Sequence, residues 1–133
     1  ANPIHERRAG EILAEVLPQA VVSLSSEVAP EFREYLRAST TVINGCIRPV
    51  VARYLQRIEE RLTEAGIRAE LLVMQSSGGV YTFAAAQQRP VYMVESGPAA
   101  GVIAAVHLGQ ALGYDQVFSF DLGGITAIDR WGQ

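Results

Sequence analysis

Three glycine-containing turns follow apolar segments and are the places where this chain could do chemistry. They are Ser76–Gly79, Ser96–Gly101 and Asp121–Gly124. In open α/β sheets, ligands bind beyond the carboxyl ends of the strands, and glycine lets backbone N–H groups approach an anion closely. The three turns together therefore predict a phosphate-binding site. Glycine is also needed wherever φ is positive, so simple turn formation explains any one of them taken alone.

Asp121 is the most informative carboxylate. It closes the apolar segment Val117–Phe120 and precedes Gly123 and Gly124. An aspartate in this position can hold Mg²⁺, directly or through water, beside phosphates bound at the glycine turn. It can equally cap its own turn through its side chain, and the local pattern does not separate these two roles.

The composition of the residues present excludes several classes of protein. All eleven basic residues are arginine. The absence of lysine excludes P-loop NTPases, PLP enzymes and protein kinases, whose chemistry requires a lysine. One cysteine and two histidines cannot build a Cys/His zinc site. A net charge of −3 without a basic stripe argues against a nucleic-acid partner. The single cysteine allows no internal disulfide and is typical of a reducing compartment, so we expect a cytoplasmic protein.

Predicted strands alternate with predicted helices, which indicates the α/β fold class. The predicted strands are Ala20–Leu24, Ala69–Gln75, Val80–Phe83, Pro90–Val94 and Gln116–Phe120. The predicted helices start at Asn2-Pro3 and near Pro30, and cover Val42–Ala65, Ala84–Gln88 and Ala99–Leu112. The uncharged stretch Ser96–Tyr114 is too rich in glycine and alanine to favour membrane insertion, so we expect a helix buried in protein.

The segment Val42–Ala65 has the clearest helical periodicity. Its predicted apolar face consists of Ile43, Ile47, Val50, Tyr54, Ile58 and Leu62, with Arg57 and Glu60 on the exposed side. The apolar register holds on both sides of Pro49, which predicts one helix kinked there; a new helix starting near Ile47 is the alternative. Gly66 is placed to end the helix.

Four smaller features are assigned structural roles. Glu34 and Arg37 are expected to form a solvated pair three residues apart, and Ser39–Thr41 to lie at the start of the long helix. Cys46 is expected to be a buried, inert thiol, because it shares a side with Val42 and Val50. His107 is expected to be a packed histidine, since its neighbours are alanine and leucine.

Five short motifs carry a resemblance to a known family. They are Ser26–Val28, Glu34–Thr41, Val73–Gly79, Glu95–Gly101 and Asp121–Gly124, and they occur in that order. Together they resemble the hydantoinase A/5-oxoprolinase family, which includes N-methylhydantoinase A and related subunits of acetone carboxylase. The resemblance extends from about His5 to Gly124.

The resemblance implies a fold and a place for this chain within it. The family is similar to actin-like ATPases, which have two lobes of ribonuclease-H-like topology around a nucleotide cleft. Residues 1–133 would then be a single partial domain from the middle of such a protein. Asp121–Gly124 would match the second phosphate loop, although Ile125 stands where the family has threonine. The last residues, 125–133, form an atypical tail.

The resemblance also implies cofactors and site residues. ATP and Mg²⁺ are the expected cofactors, and Asp121 is the expected catalytic and Mg²⁺-binding residue. The expected nucleotide-binding residues are Gly123, Gly124, Thr126, Gly97, Gly101, Ser76, Gly78 and Gly79.

The implied reaction is ATP-dependent opening of a small cyclic amide, hydantoin or 5-oxoproline, or carboxylation of a carbonyl compound. A second subunit of a hydantoinase or carboxylase complex is the expected partner, together with a homo-oligomer, and no nucleic acid or membrane. We expect the chain alone to be inactive. Two alternatives stay open, namely a non-catalytic assembly module of an acetone-carboxylase-like complex and a sugar-kinase-like piece of the actin-like superfamily.

Overall fold

The chain forms two compact units built from interleaved segments. The structure is a computed structural model that describes residues 2–122 and 127–132, with side chains described for residues 2–122. The first unit comprises Ala1–Glu70 and Phe83–Val91, and the second comprises Leu71–Thr82 and Tyr92–Gln133. The assignment of residues 1–133 to one partial domain of a larger protein stays a prediction.

The first unit is helical. It contains α1 (Ile4–Val16), α2 (Ser25–Val28), α3 (Glu34–Glu64) and α4 (Phe83–Gln88). Helix α1 begins where the Asn2-Pro3 signal predicts, because the Asn2 side-chain oxygen accepts the backbone N–H of Ile4 at 3.1 Å. A small core joins these helices; its fully buried members include Leu55 of α3 and Ala86 of α4.

Helix α3 is one element of 31 residues with Pro49 inside it, which confirms the prediction of a single helix and excludes the alternative of a new start near Ile47. The helix also begins earlier than predicted and absorbs the separate short helix expected after Pro30. Ser39 and Thr41 consequently lie within α3 rather than at its start. Their hydroxyls donate to the carbonyls of Tyr35 and Arg37, four residues earlier in each case.

The buried face of α3 is offset from the predicted one. Asn44 and Leu55 are buried, whereas the predicted core residues Ile43, Val50 and Tyr54 are exposed. Towards the end of the helix the prediction is closer. Ile58 and Leu62 are half-buried there, and Arg57 and Glu60 are exposed as expected.

Several exposed apolar side chains form a second face on α3, which we call the apolar stripe. Its members are Tyr35, Val42, Ile43, Val50 and Tyr54. Their successive spacings of seven, one, seven and four residues place them on one side of a helix. Cys46 lies among them and is exposed, so the prediction of a buried thiol is wrong. It shares a side with Val42 and Val50 as expected, but that side is not the packed one.

The predicted strand Ala20–Leu24 is absent, and this segment is irregular. Its polar groups form hydrogen bonds with side chains of α3 and not with a neighbouring strand. Arg48 donates to the carbonyl of Val22 at 2.7 Å, and the Asn44 amide donates to the Ser23 hydroxyl at 3.2 Å. An apolar run can therefore be held by side-chain partners without joining a sheet, which a sequence pattern does not distinguish.

The second unit holds two short antiparallel sheets and one helix, α5 (Ser96–Ala111). Strands β1 (Leu72–Met74) and β2 (Val80–Thr82) pair around the Ser76–Gly79 turn, with Val73 opposite Tyr81. Strands β3 (Val117–Leu122) and β4 (Ala127–Gly132) form a hairpin that places Asp121 opposite Ile128. Both pairings are local along the chain, and the actin-like arrangement stays a prediction.

The predicted strand Pro90–Val94 is instead a 3₁₀ helix, Pro90–Met93. The carbonyl of Tyr92 accepts the backbone N–H of Ser76 at 2.7 Å. The Ser76 hydroxyl also bonds to the carbonyls of Tyr92 and Val94. These carbonyls thus bond to a neighbouring turn and do not form a strand ladder.

Helices α3 and α5 both close at a glycine, α3 at the predicted Gly66 and α5 at Gly113. Gly66 and Gly113 have φ values of 81° and 78°, in the left-handed region that favours glycine. The next residues, Ile67 and Tyr114, donate their N–H groups back to Leu62 and Gly109 at 2.9 Å. His107 is exposed on α5, so the prediction of a packed histidine is wrong. Among the described helices, none has the length and apolar character needed to cross a membrane.

Candidate functional site

A cleft in the second unit brings two of the three predicted glycine turns together. It has a volume of about 270 Å³ and lies between the β1–β2 turn and the first two turns of α5. We call it the Gly78 cleft. Its lining residues are Ser76, Ser77, Gly78, Glu95, Pro98, Ala99, Val102 and Ile103.

The floor of the Gly78 cleft depends on a glycine. Gly78 has a φ of +88°, and a Cβ built there would lie 2.8 Å from the Cδ1 atom of Ile103. A side chain at this position would therefore be strained and would press on the α5 side of the cleft. The turn is closed by hydrogen bonds from the Gly78 N–H to the Gln75 carbonyl at 2.9 Å and from the Gln75 N–H to the Gly79 carbonyl at 2.7 Å.

Ser76 connects this turn to the chain that leads into α5. Its N–H and its hydroxyl bond to backbone carbonyls of Tyr92 and Val94, as described above. Ser77 is less constrained, because its hydroxyl contacts the Gln75 side-chain oxygen at 3.3 Å and is exposed. Of the two hydroxyls at the cleft, that of Ser77 is the one free to reorient toward a ligand.

Glu95 is the charged residue of the Gly78 cleft; it begins the motif Glu95–Gly101 but is not among the predicted site residues. It precedes α5 in the left-handed conformation, with φ 61° and ψ 22°, and its side chain does not cap the helix. The signal that could have identified it is its place directly before Ser96 and Gly97, at the end of the apolar segment Val91–Val94. Ile103 was also missed, since α5 shows an almost uniformly apolar sequence.

The remaining predicted site residues are distributed as follows. Gly97 and Gly101 lie in the first half of α5, and no atom lies within 4 Å of a Cβ built on either. Asp121 is exposed in β3 and is not among the residues that line the Gly78 cleft. Gly123, Gly124 and Thr126 lie outside the described residues. The structure thus places Ser76 and Gly78 at one cleft with the start of α5, and the nucleotide-binding roles stay predictions.

Metal binding by this segment would rest on few ligands. In the part of the chain that the structure describes, no three His, Cys, Asp or Glu residues gather as a metal site. Mg²⁺ beside a nucleotide usually takes one or two protein carboxylates together with phosphates and water, so the Mg²⁺ prediction stays a prediction. Asp121 and Glu95 are carboxylates of the second unit exposed enough for such a role.

A second polar cluster lies in the first unit and joins α1, α2 and α3. The Glu6 carboxylate accepts the backbone N–H groups of Ser25 and Ser26 at 2.5 and 3.0 Å. Arg37 donates to the same carboxylate at 3.2 Å and to the Ser25 hydroxyl at 2.6 Å. Arg37 therefore pairs with Glu6 rather than with Glu34, its predicted partner.

The pKa of Glu6 shows that this cluster favours the charged carboxylate. Partial burial opposes ionisation, but the hydrogen bonds from Ser25 and Ser26 outweigh it and lower the pKa of Glu6 from 4.5 to about 2. The cluster ties three helices together and has no nucleophile or base poised for reaction. We assign it a structural role.

Comparison with known proteins gives one family. The family model described as Hydantoinase/oxoprolinase matches residues 37–129. An uncharacterized protein of Methanocaldococcus jannaschii is 44% identical over 126 residues, which is 95% of this chain and 18% of that protein. No solved structure matches the chain.

Two further relatives have descriptive names. The caprolactamase subunit alpha of Pseudomonas jessenii is 38% identical over 94% of this chain. The acetone carboxylase beta subunit of Xanthobacter autotrophicus is 31% identical, also over 94% of this chain. The chain spans 18% of the length of each of these proteins.

Proposed function

Because this chain belongs to the hydantoinase/oxoprolinase family, we propose that it is a segment of an ATP-dependent amidohydrolase that opens a cyclic amide. The family description and the similarity to a caprolactamase subunit both support a lactam-type substrate. Hydantoin and 5-oxoproline are the substrates that we expect first. Since the chain spans 18% of these relatives, the activity is proposed for the longer protein and not for this segment alone.

We propose ATP and Mg²⁺ as cofactors of the longer protein. When bound, ATP would supply a phosphoryl group that makes an amide-derived oxygen a better leaving group. Asp121 is the proposed Mg²⁺ or water-positioning residue, because it is exposed and directly precedes the glycine turn. Gly123, Gly124 and Thr126 are the proposed phosphate contacts.

We propose a second, different subunit as a partner, in a cytoplasmic assembly. The names of two relatives describe subunits, one of caprolactamase and one of acetone carboxylase. Homo-oligomerisation is a further proposal, which the apolar stripe of α3 supports.

The observation that carries the proposal is the Gly78 cleft. Two motifs separated by about one sixth of the chain's length meet at one small cavity that is lined by a glutamate and by an exposed serine hydroxyl with one long contact. An arrangement of this kind, concave and largely apolar with a few polar groups, is typical of a small-molecule site.

Substrate-dependent ATP hydrolysis by the full-length protein tests the proposal. We expect ADP release with Mg²⁺ to require hydantoin, 5-oxoproline or caprolactam, and to match the amount of ring-opened product. Asp121→Asn should lower this turnover on the order of 100-fold, as for loss of a group that stabilises transferring charge. Asp115→Asn is the matched control, since Asp115 is an exposed aspartate just before the same strand.

Two results would contradict the proposal. ADP release that no cyclic amide stimulates would exclude an amidohydrolase. ADP release that instead requires acetone and bicarbonate would favour the carboxylase assembly, for which the 31% identity to an acetone carboxylase subunit is the specific support.

A further inference from the structure

We propose that the Gly78 cleft receives the cyclic amide itself, and that Glu95 binds the amide N–H. This inference rests on the proposed function, and it departs from the sequence prediction that Ser76 and Gly78 contact the nucleotide. It assigns a specificity role to Glu95, which begins one of the five motifs but is not among the predicted site residues.

The first argument is that the cleft has few hydrogen-bond donors left for a phosphate. The N–H groups of Ser76, Gly78 and Ala99 are already bonded to the carbonyls of Tyr92, Gln75 and Glu95. The Ser76 hydroxyl is bonded to backbone carbonyls, and Pro98 has no N–H. A phosphate needs several converging donors, and among the groups that line this cleft there remain the Ser77 hydroxyl, held by one long contact, and the N–H groups of Ser77 and Glu95.

The second argument is the charge at the cleft. Glu95 presents a carboxylate, and none of the eight lining residues is basic. An anionic phosphate would be repelled there. The N–H group of a lactam or hydantoin would instead donate a charge-assisted hydrogen bond to the carboxylate. The Ser77 hydroxyl, turned away from Gln75, could donate to the ring carbonyl.

The third argument is size and surface. At about 270 Å³ the cleft lies below the range of ~300–1,000 Å³ typical of pockets for drug-sized ligands. A ring of five to seven members suits this space better than a nucleotide does. Pro98, Val102 and Ile103 supply an apolar wall for the methylene groups of such a ring.

Glu95→Gln in the full-length protein is the decisive variant, because it removes the charge and keeps the shape. We expect the KM for 5-oxoproline or hydantoin to rise at least about tenfold, with ATP affinity unchanged. Glu64→Gln is the matched control, since Glu64 is an exposed glutamate at the end of α3. A thermal melt of each variant confirms that it is folded.

Ile103→Val provides a second variant that does not alter charge. It removes one methyl group from the apolar wall and should shift the ratio of kcat/KM values toward the larger ring, caprolactam over 5-oxoproline, several-fold. An unchanged ratio would place the ring elsewhere and overturn the proposal.

Direct binding separates this inference from the proposed function. Saturation-transfer NMR with hydantoin and 5-oxoproline reports binding to the full-length protein without turnover. Loss of the ligand signal in Glu95→Gln supports the inference even if no ATP-dependent hydrolysis is found. Conversely, if Glu95→Gln weakens ATP binding and leaves the lactam signal and KM unchanged, the cleft belongs to the nucleotide and the inference is wrong, while the proposed activity stands.

Discussion

At the scale of single residues, Glu6 shows how one side chain can organise a unit. Its carboxylate receives two backbone N–H groups from α2 and one arginine from α3. The side chain of Glu6 is 29% exposed and that of Arg37 is 21% exposed, so the pair is only partly screened by water. Hydrogen bonds to a charged group in such a setting are stronger than those between neutral groups.

Glu6→Gln should therefore destabilise the protein at neutral pH, by about 1–2 kcal/mol once solvent screening is allowed for. The pKa of Glu6 is lowered from 4.5 to about 2 on folding. Its stabilising contribution is thus present above pH 4.5 and lost as the pH falls toward 2. Urea unfolding at a series of pH values measures both the loss and its pH dependence.

Glu11→Gln is the control for this experiment. Glu11 belongs to the same helix but pairs with Arg8 at the surface, where both side chains are more than 60% exposed. Its replacement should change stability by less than about 1 kcal/mol. Equal losses in the two variants would show that the Glu6 cluster has no special stabilising role.

At the scale of elements, α5 packs on β3 through a glycine. Gly109 is buried, and a Cβ built there would lie 2.2 Å from the Cγ2 atom of Val117. Gly109→Ala should consequently force α5 away from β3 and cost about 1–3 kcal/mol.

Gly101→Ala is the matched change in the same helix, with the opposite expected sign. No atom lies within 4 Å of a Cβ at Gly101, and its φ is not positive. Alanine there should stabilise the helix by about 0.5–1 kcal/mol. Chemical unfolding of both variants checks the pair; a stabilised Gly109→Ala protein would contradict the close approach of α5 and β3.

The elements whose limits depend on local chemistry were predictable from the sequence. Gly66 and Gly113 end their helices because they supply a positive φ, and Asn2-Pro3 starts α1. The elements that depend on distant partners were not. Ala20–Leu24 is held by Arg48 and Asn44, and neither interaction is visible in the apolar run itself.

The same distinction applies to the faces of α3 and to the site. Apolar periodicity predicted that Ile43 and Val50 would be buried, but the buried face of α3 contains Asn44. The Asn44 amide N–H group donates to the Ser23 hydroxyl and the Gln88 carbonyl, and its oxygen accepts the Val91 N–H. At the site, the glycine turns predicted Ser76 and Gly78, because the glycines of a turn can be recognised in a sequence. Glu95 was not predicted as a site residue because its place at the cleft depends on the turn that lies across it.

At the scale of the whole molecule, the amount of exposed apolar surface is large for a 133-residue chain. Phe32 is 98% exposed and Tyr35 is 82% exposed, beside the rest of the apolar stripe. Monomeric proteins rarely leave such surface uncovered. We therefore expect the isolated chain to associate into dimers or larger species, with a total buried area above about 1,000 Å².

Light scattering over a wide concentration range measures this association. The matched variant is Val42→Ser with Val50→Ser, which makes the apolar stripe more polar at two exposed positions and should reduce the mean mass. A strictly monomeric parent chain would contradict the expectation, and it would also remove the support that the stripe lends to homo-oligomerisation.

The interleaving of the two units has a consequence for synthesis on the ribosome. Asn44 is fully buried, yet the N–H group that its side-chain oxygen accepts belongs to Val91, 47 residues later. At roughly 5–20 residues per second, the ribosome adds Val91 about 2–9 s after it adds Asn44. During this interval α3 is completed, and the Asn44 side-chain oxygen has no protein partner, although the Ser23 hydroxyl is already available to its amide N–H. The hydrogen bonding of the first unit is therefore complete only after α4 and Val91 have been synthesised.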